Sequence, residues 1–286
     1  KLLIKKKNIF FIGEDILDPY GGTFKITKNL QEKFPNNFFS SPVSEASITG
    51  LAGGLSLGNY VPIVEIMFGD FIGLIFDQII NYISKYDLMF PFSKGNSVII
   101  RTPMGGRRGY GPTHSQSLEK YFLGIPNFFV IALNKYSDVY TLYEDIIKDK
   151  IKVLILENKK DYNLTLTFNK KKINGFNFRS YGYGYNEILE LALDDINTPN
   201  LNIICYGGML DLIENVCKNL FIEHELNIKI ILITNISNVK KQIYEKIISK
   251  DILTIIVEEG TETFNFSSEI KSVMNNYEIY NISAKL

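Results

Sequence analysis

The chain has 286 residues, 45% hydrophobic and 22% charged, with 31 basic and 31 acidic side chains that cancel at neutral pH. That length accommodates two domains with real cores, and the balanced charge excludes nucleic acid or an anionic membrane as a principal partner. The longest apolar runs are broken by Asp70, Asp77 and Asn81, so no segment spans a bilayer, and the two histidines and two cysteines are scattered singly, which leaves no metal-ligand cluster.

Residues 8–12 are a short apolar run closed by Gly13 and predict a buried strand, with Glu14 and Asp15 at its carboxyl end. A Pro19-Tyr20-Gly21-Gly22 loop follows, and Ile26, Leu30 and Phe34 have helical spacing over 25–34. The run Phe38-Phe39-Ser40-Ser41 predicts a strand ending at Pro42, with Glu45 three residues on. Small and apolar residues then fill 48–57, including Gly50, Ala52, Gly53 and Gly54. This pattern predicts a strand, a turn and a close-packed helix with Glu45 in its first turn, where the helix dipole favours a carboxylate. On local pattern Glu45 reads either as a helix cap or as a partly buried catalytic acid.

Residues 60–67 predict a strand, 71–86 a largely buried helix and 98–101 another strand. Four glycines and two prolines within 102–116 preclude a helix or central strand there, and a long loop inside a compact domain is usually functional or disordered. A short helix at 118–122, a strand at 128–133, a helix at 139–148 and a strand at 153–157 complete the first half. Near-continuously apolar strands alternating with helices imply a parallel sheet covered on both faces. Basic residues, Asn and the run Tyr181-Gly182-Tyr183-Gly184-Tyr185 mark 166–200 as a linker able to hold a hairpin. A second alternation follows, with strands at 201–206, 228–233, 252–257 and 278–282 and helices to about 220, at 239–249 and at 267–274. The fold class is α/β: two three-layer domains with mainly parallel sheets, 1–165 and 201–286, joined by the 166–200 linker.

Gly207-Gly208 follows a strand but lacks the spacing of a dinucleotide fingerprint, and no Walker-type run exists. Ser115 beside His114 is not in a G-x-S-x-G elbow. His114 reads as a surface histidine or a site residue, and Arg107 and Arg108 as a solvated pair or an anion clamp. Met67 and Phe71, four apart on an apolar face, pack as core by default. His224 has no assigned role. Cys205 and Cys217 read as small buried hydrophobes of a reducing compartment. No signal peptide is visible, and a start without Met leaves open an upstream start, a cut piece or a processed product. The expected location is therefore cytoplasmic, or an organelle matrix if residues precede Lys1.

Assembled in order, these stretches resemble the β-subunit family of thiamine-diphosphate-dependent 2-oxoacid dehydrogenase E1 components. The motifs are Gly13-Glu14-Asp15, Gly21-Gly22-Thr23-Phe24-Lys25-Ile26-Thr27-Lys28, Pro42-Val43-Ser44-Glu45-Ala46, Val64-Glu65-Ile66-Met67-Phe68, Phe76-Asp77-Gln78, Arg101-Thr102-Pro103, His114-Ser115-Gln116-Ser117 and Leu156-Glu157-Asn158. The resemblance is strong over about 8–165 and looser beyond. It implies a transketolase-like pyrimidine-binding domain followed by a transketolase C-terminal-like domain. Carried over, Glu45 matches the glutamate that hydrogen-bonds N1′ of the cofactor's aminopyrimidine, Met67 and Phe71 match residues packing on that ring, and His114 matches the histidine at the site entrance. The implied reaction is decarboxylation of a pyruvate-like 2-oxo acid and acyl transfer to lipoamide. Arg107 and Arg108 are the expected substrate-binding cations.

The family holds the diphosphate through Mg²⁺ on a Gly-Asp-Gly motif. None occurs here, Gly69-Asp70-Phe71 being nearest. The implied site is therefore completed by an E1 α-type subunit in an α2β2 heterotetramer, or by an upstream portion of this chain. A lipoyl-bearing E2 acyltransferase is a further implied partner, loosened by Leu232-Ile233-Thr234-Asn235-Ile236, where the family carries an Asp-Leu-Arg-type run before a Pro. The 107–113 loop resembles a bacterial branch whose members are not all lipoamide-dependent. The alternatives are thus a two-subunit transketolase-like or carboligase enzyme acting on sugars or sugar phosphates, and a non-catalytic scaffold subunit.

Overall fold

In the computed structural model the described residues are 8–91, 95, 97–164 and 172–285. The first half forms a six-stranded sheet from β1 (Ile9–Gly13), β2 (Phe38–Ser40), β3 (Val61–Glu65), β4 (Val98–Met104), β5 (Phe129–Ala132) and β6 (Lys152–Asn158), in the order β2-β1-β3-β4-β6-β5. Every pairing in it is parallel. Its helices are α1 (Glu45–Leu57), a four-residue α2 (Tyr86–Met89) and α3 (Val139–Lys148).

The near-continuous apolar runs follow from the alternation of a strand buried on both faces. Ile99 and Val153 pack with Leu142 and Ile146 of α3, while their neighbours Ile100 and Leu154 enter a second core on the other face. That second core is shared with the other half of the chain, through Ile204, Ile231 and Ile256.

The second sheet contains β7 (Lys172–Ile173), β8 (Phe176–Tyr181), β9 (Ile188–Ala192), β10 (Leu201–Cys205), β11 (Ile228–Ile233), β12 (Thr254–Thr261) and β13 (Ile279–Ala284), ordered β13-β12-β10-β11-β9-β8-β7. The first four in that order run parallel and the last three attach antiparallel. Helices α4 (Leu210–His224), α5 (Lys241–Ile247) and α6 (Phe266–Val273) accompany it. Backbone bonds from Ala132 to Thr234 (2.9 Å) and from Ile236 to Val130 (3.0 Å) stitch the edge of the first sheet to the second half. No helix among the described residues is long and apolar enough to cross a membrane.

Four local expectations change. The stretch 25–34 is a chain of turns, because Lys25 and Asn29 adopt left-handed backbone (φ 58 and 64). The Asp18 carboxylate accepts the amides of Asn29 (2.7 Å) and Glu32 (3.4 Å), a local alternative to helix bonds. The 71–86 segment is wound as 3-10 turns over Gly69–Ile75, a π-turn over Gln78–Tyr82 and a 3-10 turn over Ile83–Lys85. Ile72, Ile75, Ile79 and Ile83 still stay fully buried, since the apolar spacing selects the inward face and not the winding.

Strand β4 runs through Pro103, in the stretch expected to be loop. Proline is tolerated there because β3 pairs with β4 only as far as Arg101, so no partner awaits the missing N–H. Finally, the stretch expected as linker supplies β7, β8 and β9. Phe176, Leu189 and Leu191 are buried, and β9 pairs with β11, so the second sheet begins before 201. The part of that stretch at 166–171 lies outside the described residues.

Candidate active site at the carboxyl edge of the first sheet

Parallel α/β sheets place ligands beyond the carboxyl ends of their strands. Here β1 ends before Glu14, β2 leads to Glu45, β3 to Met67, β4 to the His114 loop and β6 to Lys159. Glu45 is the first residue of α1 and is buried (7% exposed). Its carboxylate has no hydrogen-bond partner among the described side chains, although it sits where the helix dipole favours negative charge. The turn before it is fixed by Glu14, whose Oε1 accepts the Ser44 amide at 3.1 Å. Burial raises the Glu14 pKa, and the neighbouring Glu45 charge raises it further. Close packing of α1 depends on Gly53, where any Cβ would overlap the Tyr86 hydroxyl.

An aromatic wall stands along the same edge. Phe68 is its hub, with ring centroids 4.7 Å from His114, 5.9 Å from Phe71, 5.9 Å from Tyr110 and 6.0 Å from Phe24. His114 also meets Phe71 at 5.4 Å, edge to face, so these two expected site residues are brought together. Its Nδ1 lies 3.0 Å from the Thr113 hydroxyl, which leaves Nε2 for a ligand. Met67 is half-buried just past β3. The loop is anchored beside His114 by Asp70, whose Oδ1 accepts the Gln116 amide (3.1 Å) and side chain (3.0 Å). That Asp is therefore part of a loop clamp. Among the described residues no group of three or more His, Cys, Asp or Glu is placed to hold a metal ion.

Beneath the wall, Arg101 is buried between Glu65 and Glu157 and ion-pairs with both. Its Nε donates to Glu157 at 2.8 Å, and the Tyr162 hydroxyl donates to the same carboxylate at 2.6 Å. The flanking carboxylates hold the guanidinium charged against its burial, while burial outweighs Arg101 at Glu65 and raises that carboxyl's pKa. Gly22 has φ +79, and a Cβ there would lie 2.7 Å from Glu65 Oε1. Four motifs far apart in sequence thus converge on one buried ion network that locks the ends of β3, β4 and β6 together.

Arg107 and Arg108 are exposed, on the same loop as Tyr110 and His114. Arg107, with φ 63, lines a crevice of about 190 Å³ between the two halves, together with Asp161, Asp211 and Glu259. Behind it a smaller cavity of about 30 Å³ is lined by Glu119, Tyr206 and Glu259. Pattern reading passed over Phe68, Tyr110 and Glu14 as site residues. Phe68 and Glu14 belong to the quoted motifs and Tyr110 to the 107–113 loop, but none of the three carries a site role in the pattern.

Residues 1–165 match the family model of the transketolase pyrimidine-binding domain. The chain is 29% identical over 282 residues to the pyruvate dehydrogenase E1 component subunit beta of Cyanidium caldarium, covering 96% of this chain and 80% of that protein. It is 32% identical over 171 residues to the acetoin:2,6-dichlorophenolindophenol oxidoreductase subunit beta of Cupriavidus necator, covering 57% of this chain and 51% of that protein. The E1 subunit beta of Gracilaria tenuistipitata var. liui is 34% identical over 162 residues, 55% of this chain and 49% of its own length. This chain thus spans about half the length of the latter two relatives. A solved structure described as a split gene transketolase, inactive beta4 tetramer, superposes with a TM-score of 0.68 over 99% of this chain and 84% of that one, at 15% identity. That likeness bears on the fold alone.

Proposed function

The chain belongs to the transketolase pyrimidine-binding domain family, and from that premise we propose that it is the β-type subunit of a thiamine-diphosphate-dependent 2-oxoacid dehydrogenase E1 component. In this reading it decarboxylates a pyruvate-like 2-oxo acid and passes the acyl group to lipoamide, as part of a site shared with an α-type subunit. The names of the relatives support the reading.

The observation that carries it is Glu45: a buried carboxylate at a helix start, on the carboxyl edge of a parallel sheet, with its acceptors unengaged by any described side chain. Such a group suits a protonated ring nitrogen, and α1 packs against the turns that carry Phe71. Met67 and Phe71 offer apolar surface to a planar ring, the usual lining of a cofactor pocket. These residues fit an aminopyrimidine. Thiamine diphosphate, when bound, supplies a carbon nucleophile and an electron sink for decarboxylation.

This chain's side chains then do the following. Glu45 holds and returns the proton at N1′ of the aminopyrimidine. Glu14, by accepting the Ser44 amide, keeps the start of α1 in place while that happens. His114 Nε2, left available by Thr113, exchanges a proton with the substrate oxygen. The aromatic rings around it exclude water. Arg108, exposed on the same loop, meets the substrate carboxylate.

The diphosphate and its Mg²⁺ fall to the α-type subunit, since Asp70 of the Gly69-Asp70-Phe71 run is engaged with Gln116. An α2β2 assembly would cover the apolar side chains around the site, of which Val43 is 80% exposed and Leu74 58% exposed. A lipoyl-bearing acyltransferase is the acyl acceptor's carrier. The test is reconstitution with an α-type polypeptide bearing Gly-Asp-Gly, a 2-oxo acid and free lipoamide. Lipoamide reduction coupled to CO₂ release is the expected result. Carboligation products without lipoamide reduction would overturn the acyl-transfer step.

A further inference from the structure

The wall around His114 contains a cation to which the proposed reaction gives no part. Lys159 directly follows β6 and is completely buried. A buried ammonium normally has a carboxylate against it, yet none of the described residues ion-pairs with this one. Instead Nζ donates to the His114 carbonyl at 2.5 Å. It also stands 5.1 Å from the Phe68 ring centroid and 5.8 Å from that of Tyr110, within cation–π range of both. Burial lowers its pKa; Asp70 and Glu259, at longer range, act in the opposite sense, and Arg108 adds to the lowering.

The His114 loop has no regular structure and is fastened at three points. Near its start the Gly106 amide donates to Glu259 at 2.8 Å, and near its end Gln116 is held by Asp70. Between these anchors Gly109 and Gly111 are both left-handed (φ 75 and 81), so the backbone there depends on outside contacts to stay put. Lys159 makes the contact at His114 itself.

We propose that Lys159 is the positioning residue for His114, its ammonium tying that residue's own carbonyl to the end of β6 while the Phe68 and Tyr110 rings take the place of a counter-ion. The catalytic part of this inference rests on the E1 reading, and the structural part does not. A carboxylate in place of the rings would neutralise the ammonium and pull it off the carbonyl. The apolar cage leaves its donor strength directed at the loop.

Lys159→Met keeps the buried stem and removes the charge, and Lys159→Arg keeps the charge. In the purified full chain, trypsin should cut after Arg107 and Arg108 about 10- to 100-fold faster in Lys159→Met, the factor carried by a charge-assisted hydrogen bond. The melting temperature should stay near that of the parent, and Lys159→Arg should restore most of the protection. In the reconstituted enzyme Lys159→Met should lower kcat by a similar factor with KM little changed, and add nothing in a His114→Ala background. Equal trypsin rates in parent and variant at matched melting temperature overturn the proposal, and so do additive kcat losses in the double variant. An inactive parent enzyme would instead count against the E1 reading, while the trypsin comparison still decides the role of Lys159.

Discussion

The two halves of the chain share one construction and put the carboxyl edges of their parallel strands to opposite uses. In the first half these edges carry polar groups with unmet valence: Glu45 has no side-chain partner among the described residues, and Lys159 has rings where an acid would be usual. In the second half Tyr206, Glu258 and Glu259, at the matching strand ends, each have a hydrogen-bond partner. Glu258 in β12 accepts the amides of Phe266 and Ser267 at 3.2 Å each and so caps α6. Tyr206, just past β10, donates to Glu119 at 2.7 Å, and Glu259 accepts from Gly106. In the proposed reading the first half's edge keeps hydrogen-bonding capacity for a ligand, while at the seam the facing half consumes most of it, Glu119 Oε2 excepted.

The largest effect that would break this contrast is at position 45. Glu45→Gln preserves shape and hydrogen bonding but cannot take the proton, so kcat of the reconstituted enzyme should fall by about 10² to 10⁴, the span of general acid–base catalysis. The melting temperature should barely move. Full turnover in this variant would remove the first half's claim to the chemistry.

Next in size is a pH effect at the seam. Burial pushes the Glu119 carboxyl up to about 7 from 4.5. Between those values the folded state holds a proton that the unfolded state has released, so this group's contribution to stability falls as pH rises. Glu119→Gln does not titrate. From below pH 4.5 to above pH 7 its unfolding free energy should therefore gain about 3 kcal/mol on the parent, at about 1.4 kcal/mol per pKa unit. Denaturant unfolding at both ends of that window measures the gap, and a pH-independent gap would mean that the seam is wet. Smaller again is Glu258→Gln. It weakens the cap of α6 and should cost about 1–3 kcal/mol of stability while leaving turnover of the assembled enzyme unchanged.

The same contrast explains what the sequence disclosed. Strands buried on both faces announce themselves as unbroken apolar runs, and β11 (Ile228–Ile233) and α3 (Val139–Lys148) lie where the pattern puts them. Of the meander β7–β9 the pattern discloses only a hairpin within a linker, because Phe176–Tyr181 alternates weakly and takes its place from β9, which in turn pairs with β11. The turns over 25–34 depend on an acid at position 18 and on two left-handed residues, which no helical spacing reveals. At the site, Glu45 was legible as an acid just after a strand-ending proline. The motifs mark His114 and Phe71, whereas their direct ring contact, with Phe68 against both, comes only from the fold. The setting of Arg107 was not legible, since Asp161, Asp211 and Glu259 come from three separate segments.

Arg107 lies on the boundary between the two regions, and its removal should have the smallest effect. The crevice it lines contains Asp161, Asp211 and Glu259 beside Lys160, so its acids outnumber its cations and disfavour an anionic substrate. Burial, helped by the charge of Asp211, pushes the Asp161 carboxyl up to about 6. Lys135 and Lys160 act against that shift, so the exposed Arg107 guanidinium is one cation among several there and counts at the scale of a surface ion pair. Arg107→Ala should accordingly raise KM for the 2-oxo acid by less than about threefold, the equivalent of ~0.6 kcal/mol, with kcat unchanged. Arg108→Ala should raise KM more, because that exposed side chain on the His114 loop is the one assigned to the substrate carboxylate. A tenfold rise in KM for Arg107→Ala would reverse the assignment: the substrate's carboxylate would then lie in the crevice, and the second half would be part of the site.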